Sequence, residues 1–189
     1  MRFTSTELPE VILVEPRVFG DQRGFFMETY HQERFHAAGI TAAFVQDNHS
    51  GSTHATLRGL HYQEPYAQGK LVRAVSGSIL DVVVDIRRGS PRFGRWTAME
   101  LSAENRRQLW VPAGFAHGFV VLSAEAQIVY KATDLYHPEA EHGILWDDPD
   151  LAIDWGGVTR PILSDKDRAY PRLADARVLP TYRLNGQGL

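Results

Sequence analysis

The sequence predicts an all-β fold, a sandwich or a barrel, and three observations carry that expectation. Runs rich in β-branched and aromatic residues are short, Gly and Pro punctuate them at close intervals, and only one or two brief segments have helical character. At 189 residues the chain can bury one substantial core, so a single domain spanning 1–189 is expected.

The elements follow in order. Residues 11–19 have strand character interrupted by Pro16, which predicts an edge strand or a bent one. Residues 20–24 read as a turn, and 25–30 as a strand that carries Glu28 among aromatics. The best helix of the first half covers 32–38, with Phe35 as its apolar contact and Gly39 where a left-handed cap is wanted. Residues 44–50 predict a strand running into a polar Gly/Ser/Thr loop; on it Gln46 and Asn48, two apart, point their amides to one face. After strands at 57–63 and 70–75, Ser76-Gly77-Ser78 reads as a hairpin loop leading into 79–86. There Asp81 and Asp85 share a face and read as structural partners of nearby arginines. Further strands are expected at 96–101, 108–111, 118–122 and 126–133, and a tail at 134–189 wraps the barrel with a short helix near Ser164.

Composition removes several classes of function. Net charge is −3 with basic residues dispersed, which gives no electrostatic footprint for nucleic acid or an anionic membrane. There is no cysteine, so disulfides, thiolate nucleophiles and cysteine-held zinc are excluded. No stretch approaches the roughly 18 apolar residues of a membrane span, and the first residues lack the apolar core of a signal peptide. The expectation is a soluble cytoplasmic protein.

Chemistry concentrates in one stretch, where Arg58, His61 and Lys70 lie within thirteen positions. Arginine holds an anion with a planar fork, lysine as a point charge, and the imidazole changes protonation near neutral pH. A structural hydrogen-bonding pair is the plain alternative. A second histidine, His117, follows the Pro112-Ala113-Gly114 turn.

Gly59-Leu60-His61-Tyr62-Gln63 and Pro112-Ala113-Gly114-Phe115-Ala116-His117-Gly118-Phe119 together resemble the two half-motifs of the cupin superfamily. That resemblance implies a double-stranded β-helix, the cupin jelly roll, with short peripheral helices. Metal-binding cupins present His-x-His and a downstream Glu, whereas here Gln63 stands in place of the second histidine. Two histidines and a glutamine suit a transition metal poorly, so no metal is expected.

A finer match extends through nearly the whole chain. Phe19-Gly20-Asp21-Gln22-Arg23-Gly24-Phe25, Gln46-Asp47-Asn48-His49-Ser50, Leu57-Arg58-Gly59-Leu60-His61-Tyr62-Gln63, Gln68-Gly69-Lys70-Leu71-Val72, the second half-motif, Tyr130-Lys131 and Leu163-Ser164-Asp165-Lys166-Asp167 resemble the dTDP-4-dehydrorhamnose 3,5-epimerase family. The resemblance implies a cofactor-independent epimerase acting on dTDP-4-dehydro-6-deoxy-D-glucose. It implies His61 as general base oriented by Asp167, Tyr130 as proton donor from the opposite face, and Lys70 near the ketone oxygen. It further implies Arg23 and Arg58 on the diphosphate, Glu28, Gln46, Asp47 and Asn48 on base and sugar, and His117, Tyr136, Glu141 and Lys166 as other substrate contacts. Family members are homodimers whose N-terminal strands complete the neighbouring subunit's site. Three other readings stand beside this one: an epimerase of C3 or C5 alone, a metal-dependent cupin enzyme, and a non-catalytic sugar-nucleotide-binding jelly roll.

Overall fold

The computed structural model describes residues 1–183, and every structural statement below concerns those residues; positions 184–189 of the expected tail lie outside them. In chain order the strands are β1 (Arg2–Ser5), β2 (Ile12–Glu15), β3 (Val18–Asp21), β4 (Gly24–Met27), β5 (Gln46–Thr53), β6 (Leu57–Gln63) and β7 (Lys70–Ser76). They continue as β8 (Ser78–Asp85), β9 (Trp96–Ser102), β10 (Gln108–Val111), β11 (Phe115–Val121), β12 (Glu125–Ala132) and β13 (Glu141–Gly143). Two short α-helices accompany them, α1 (Gln32–Ala37) and α2 (Asp165–Ala169).

The strands form a six-stranded antiparallel sheet in the order β1-β2-β10-β7-β12-β5 and a five-stranded one in the order β13-β6-β11-β8-β9. Their inner faces meet in a core that includes Val72, Leu109 and Ile128 from the first sheet and Ile79, Val83 and Phe119 from the second. This is the jelly roll the sequence predicts. The alternate residues of β8, Val82 and Val84, pack outward under Ile144, Leu151, Trp155 and Leu173 from the end of the chain. Burial on both faces explains why β8 reads as a nearly continuous apolar run. On the outside of the six-stranded sheet, Phe35 of α1 and Ile40 cover Val14, Leu71 and Trp110. The helix ends where expected, with Gly39 at φ +86°.

Several expectations are corrected. Ser76-Gly77-Ser78 is not a hairpin loop, because β7 pairs with β10 and β12 while β8 pairs with β9 and β11. The chain crosses from one sheet to the other there. Gly77 has φ +67°, and any Cβ would overlap the carbonyl oxygen of Glu125, so the crossing needs glycine. The polar Gly51-Ser52-Thr53 segment is not a loop: each residue pairs with β12 and extends β5, the sheet's edge. Of the two outcomes expected for the run 11–19, the interruption at Pro16 is found, with β2 ending at Glu15 and β3 beginning at Val18, whereas β2 lies between β1 and β10 and not at an edge. The strand expected at 25–30 is the shorter β4, and β11 begins at Phe115, which places His117 inside a strand.

Candidate active site

Arg58 and His61 are three residues apart, so on a regular strand their side chains would point to opposite faces. A bulge removes that conflict. His117 of β11 lies opposite His61 and Phe119 lies opposite Arg58, so Gly59 and Leu60 together face the single residue Gly118. The extra residue re-aims the strand, and both Arg58 and His61 line one cavity of about 640 Å³ between the two sheets. Glycine is required at the bulge: Gly59 has φ +134°, and a Cβ there would stand 2.5 Å from the Cα of Gly118. From the six-stranded sheet, Asn48 on β5, Lys70 on β7 and Tyr130 on β12 face the same cavity.

Two histidine–carboxylate pairs enter it. His61 Nε2 is 2.5 Å from Oδ1 of Asp167. Burial works to raise the Asp167 carboxyl, but the hydrogen bond and charge of His61, the Ser164 hydroxyl and the Lys166 ammonium outweigh it and hold the group below its ordinary range. An ionised carboxylate only accepts hydrogen bonds, so the neutral imidazole keeps its proton on Nε2 and leaves the Nδ1 lone pair free. The main-chain N–H of Asp167 in turn donates to Ser164 Oγ at 3.1 Å, capping α2. Asp167 is thus both a helix-start residue and the partner of a histidine. In the second pair, His117 Nε2 lies 2.9 and 3.0 Å from the two carboxylate oxygens of the fully buried Asp81. The reading of Asp81 as an arginine partner is therefore corrected, whereas Asp85 does bind Arg87, at 2.7 Å.

Burial pushes the Lys70 ammonium down to about 8, against the opposing pull of Glu141 and Asp81. Burial likewise raises the Tyr130 phenol; Arg58 opposes the rise and Glu141 adds to it, so the phenol stays protonated at neutral pH. At the cavity mouth the Tyr136 hydroxyl donates to Glu141 Oε2 at 2.6 Å, and Lys166 Nζ donates to Glu141 Oε1 at 2.6 Å. That hydrogen bond, with burial and nearby anionic charge, lifts Tyr136 to about 12. Burial works to raise Glu141, but Lys166, Tyr136 and His61 together hold it below its ordinary range. Its Oε1 stands 3.9 Å from His61 Nδ1.

Of the residues expected at the site, His61, Tyr130, Asp167, Lys70, Asn48, Arg58, His117, Tyr136, Glu141 and Lys166 line this one cavity. Gln46 stands behind it, hydrogen-bonded to Asn48 and to the main chain of Tyr136. Asp47 pairs with Lys131 at 2.9 Å and, with Tyr30 and Arg73, lines an adjoining depression that shares Asn48, His49 and Tyr130 with the cavity. Arg23 and Glu28 are not brought to the cavity. Arg23 pairs with Asp21 in the β3–β4 hairpin and Glu28 with Arg34. Asp81, Thr56, His49 and Ser164 were missed; for Asp81 the only signal was a carboxylate in an otherwise apolar strand.

A bulged jelly roll that gathers imidazoles, a phenol and a half-buried lysine between its sheets defines a cupin-type protein with a cavity of acid–base residues in its interior. Among the described residues, no group of three or more His, Cys, Asp or Glu side chains is placed to hold a metal ion. The chain belongs to the dTDP-4-dehydrorhamnose 3,5-epimerase family, whose sequence model matches residues 5–175. A dTDP-4-dehydrorhamnose 3,5-epimerase of Pseudomonas aeruginosa is 58% identical over 181 residues, covering 95% of this chain and all of the relative. The crystal structure of a Legionella pneumophila dTDP-6-deoxy-D-glucose-3,5-epimerase in complex with dTDP-4-keto-L-rhamnose superposes with a TM-score of 0.94 at 49% identity, covering 97% of this chain and 99% of that one. ChmJ, a 3'-monoepimerase from Streptomyces bikiniensis in complex with dTDP-quinovose, has a TM-score of 0.89 at 38% identity over 94% of this chain and 92% of its own.

Proposed function

We propose that this enzyme converts dTDP-4-dehydro-6-deoxy-D-glucose to dTDP-4-dehydro-L-rhamnose by inverting C3 and C5, in dTDP-L-rhamnose biosynthesis. The observation that carries the reading is the His61–Asp167 pair and the Tyr130 phenol, brought from opposite sheets into one cavity beside Lys70. Both carbons flank the C4 ketone, so each proton is acidic because the electron pair left behind delocalises onto the ketone oxygen. His61 Nδ1 takes the proton, and Asp167 stabilises the imidazolium that forms. The Lys70 ammonium stabilises the enolate oxygen. Tyr130 then gives a proton to the opposite face of the same carbon, and the phenol recovers its own from solvent as the imidazolium releases one. Two such cycles invert the two centres with no net change in protons.

Arg58 has one side-chain bond, from Nε to Ser52 Oγ at 3.1 Å, and its outer N–H groups are available to a diphosphate. Arg23 and Glu28 reach a site in this reading through a homodimer. The β3–β4 hairpin pairs with no other strand and exposes Phe19, Phe25 and Phe26 by 50%, 59% and 70%. A two-stranded ribbon with that apolar surface calls for a partner, here a second copy whose site it completes. Cytoplasmic location belongs to the same proposal and is supported by the absence of cysteine; no helix among the described residues is long and apolar enough to cross a membrane.

The test is proton NMR of the substrate incubated with enzyme in D2O, followed by trapping with the reductase that acts next and NADPH. Deuterium at C3 and C5 with trapped dTDP-L-rhamnose is the expected result. Deuterium and inversion at one centre would move the enzyme to the mono-epimerase class that ChmJ represents, and no exchange would overturn the reading.

A further inference from the structure

Gln63, the residue that departs from the metal-binding motif, is buried at the end of β6 with 5% of its surface exposed. Its amide is bonded entirely to main chain. Nε2 donates to the carbonyl oxygens of Tyr66 at 2.7 Å and Leu135 at 3.1 Å, and Oε1 accepts from the N–H of His137 at 2.8 Å. Two of these bonds fall on the residues immediately before and after Tyr136. A second amide completes the set: Gln46 Oε1 accepts the N–H of Tyr136 itself at 2.9 Å, while its Nε2 donates to Asn48 Oδ1 at 3.1 Å. The Tyr66 ring also stacks on His137, with centroids 4.1 Å apart.

Residues 135–137 belong to no strand or helix, so two glutamine side chains supply the main-chain partners that a sheet ladder would otherwise provide. Tyr136 is 50% exposed and has little packing of its own to hold it. Its ring direction, which brings the hydroxyl to Glu141, follows from where the backbone is held.

We propose that Gln63, seconded by Gln46, is a positioning residue that fixes the 135–137 segment and so aims Tyr136 across the mouth of the cavity. The inference rests on the dTDP-sugar reading of that cavity and deepens it. A histidine at position 63 offers two ring nitrogens and could not make the three bonds of the amide. The residue type that departs from a metal motif is the one that builds the clamp.

The test uses the full chain and compares wild type, Gln63→Ala, Gln46→Ala, Tyr136→Ala and the Gln63→Ala/Tyr136→Ala double variant. Steady-state kcat and KM are measured beside melting temperature, with the fluorine NMR linewidth of 3-fluorotyrosine at position 136. Tyr136→Ala should raise KM about tenfold, and Gln63→Ala about fivefold with kcat changed less than about twofold, because orientation on binding is lost before chemistry is. In the Tyr136→Ala background the Gln63 substitution should add less than about twofold, the mark of two residues acting through one element. The fluorine resonance should change width in the Gln63→Ala protein. If Gln63→Ala does not fold, Gln63→Met, which keeps the side chain's length and removes all three amide bonds, carries the same comparison alone and in the Tyr136→Ala background. Independent multiplication of the two KM effects, or an unchanged KM and linewidth in the single variants, overturns the positioning role while D2O exchange by the wild type leaves the epimerase reading standing. Absence of exchange in the wild type removes both.

Discussion

Replacing Lys70 by methionine, which keeps the length of the side chain and removes its charge, should stabilise the fold while removing most of the turnover. Burial lowers this ammonium from 10.5 to about 8 even with Glu141 and Asp81 pulling the other way. At about 1.36 kcal/mol for each tenfold, that drop corresponds to at most about 3 kcal/mol disfavouring the charged form in the folded protein, because the half-buried side chain keeps some contact with solvent. Below about pH 8 both the folded and the unfolded chain hold the proton, so the cost is fully present. Between about 8 and 10.5 the folded chain releases the proton while the unfolded chain keeps it, and stability rises with pH; above that window the cost is gone. Lys70→Met should therefore melt above wild type near neutral pH, by up to roughly 6–12 °C at about 2–4 °C for each kcal/mol. The gap should close as pH rises through the window. Thermal unfolding across that range is the assay, with deuterium exchange of the substrate measured on the same samples. Turnover should fall by about 10²–10³ in the variant, and wild-type turnover should decline above about pH 8 as the ammonium is lost. A variant no more stable than wild type near neutral pH, or a gap that does not change with pH, would refute the reasoning about burial. Unchanged turnover would remove Lys70 from enolate stabilisation.

His61→Ala should lower exchange at both carbons by at least about 10³ while dTDP affinity, measured by calorimetry, changes little; near wild-type exchange would show that another group is the base. Tyr130→Phe should continue to wash deuterium into the substrate from the base's own face while inversion, followed by reductase trapping, drops by about 10² or more. Unchanged inversion would exclude the phenol as the acid. Asp167→Asn keeps the shape and the Ser164 cap but removes the charge beside the imidazole, and should cost about 10–10³ in kcat. Because the Asp167 carboxyl lies below its ordinary range, wild-type activity should not show its titration above about pH 4; a kcat limb there that vanishes in Asp167→Asn would contradict the assignment.

Much of this protein was legible in one dimension because its physical causes are local. Runs of β-branched and aromatic residues bounded by Gly and Pro marked most strands, and Phe35 with Gly39 marked α1 because a buried contact and a left-handed cap are properties of neighbouring residues. Resemblance along the chain supplied His61, Lys70, Tyr130 and Asp167 and implied that Asp167 orients His61, but it said nothing of the Asp81 partner of His117. What the sequence could not express was distance. The partner of His61 lies 106 residues away and that of His117 lies 36 away, and no pattern of hydrophobicity reports which carboxylate arrives. The turn at Gly77 was misread as a hairpin for the same reason, since a turn's residues specify that the chain bends, and the carbonyl of Glu125 on β12 helps decide where it goes. The bulge at Gly59 and Leu60 is a further case: it appears in the pairing of β6 with β11, where Arg58 and His61 come to line one cavity. Gln63 is the clearest division. Its identity in the sequence argued against a metal ligand, but its use as a clamp on 135–137 needed the two segments to meet. Local sequence determined the strands, caps and residue types; the tertiary structure decided which of them touch, because hydrogen bonds and charges act over a few ångströms of space and not along the chain.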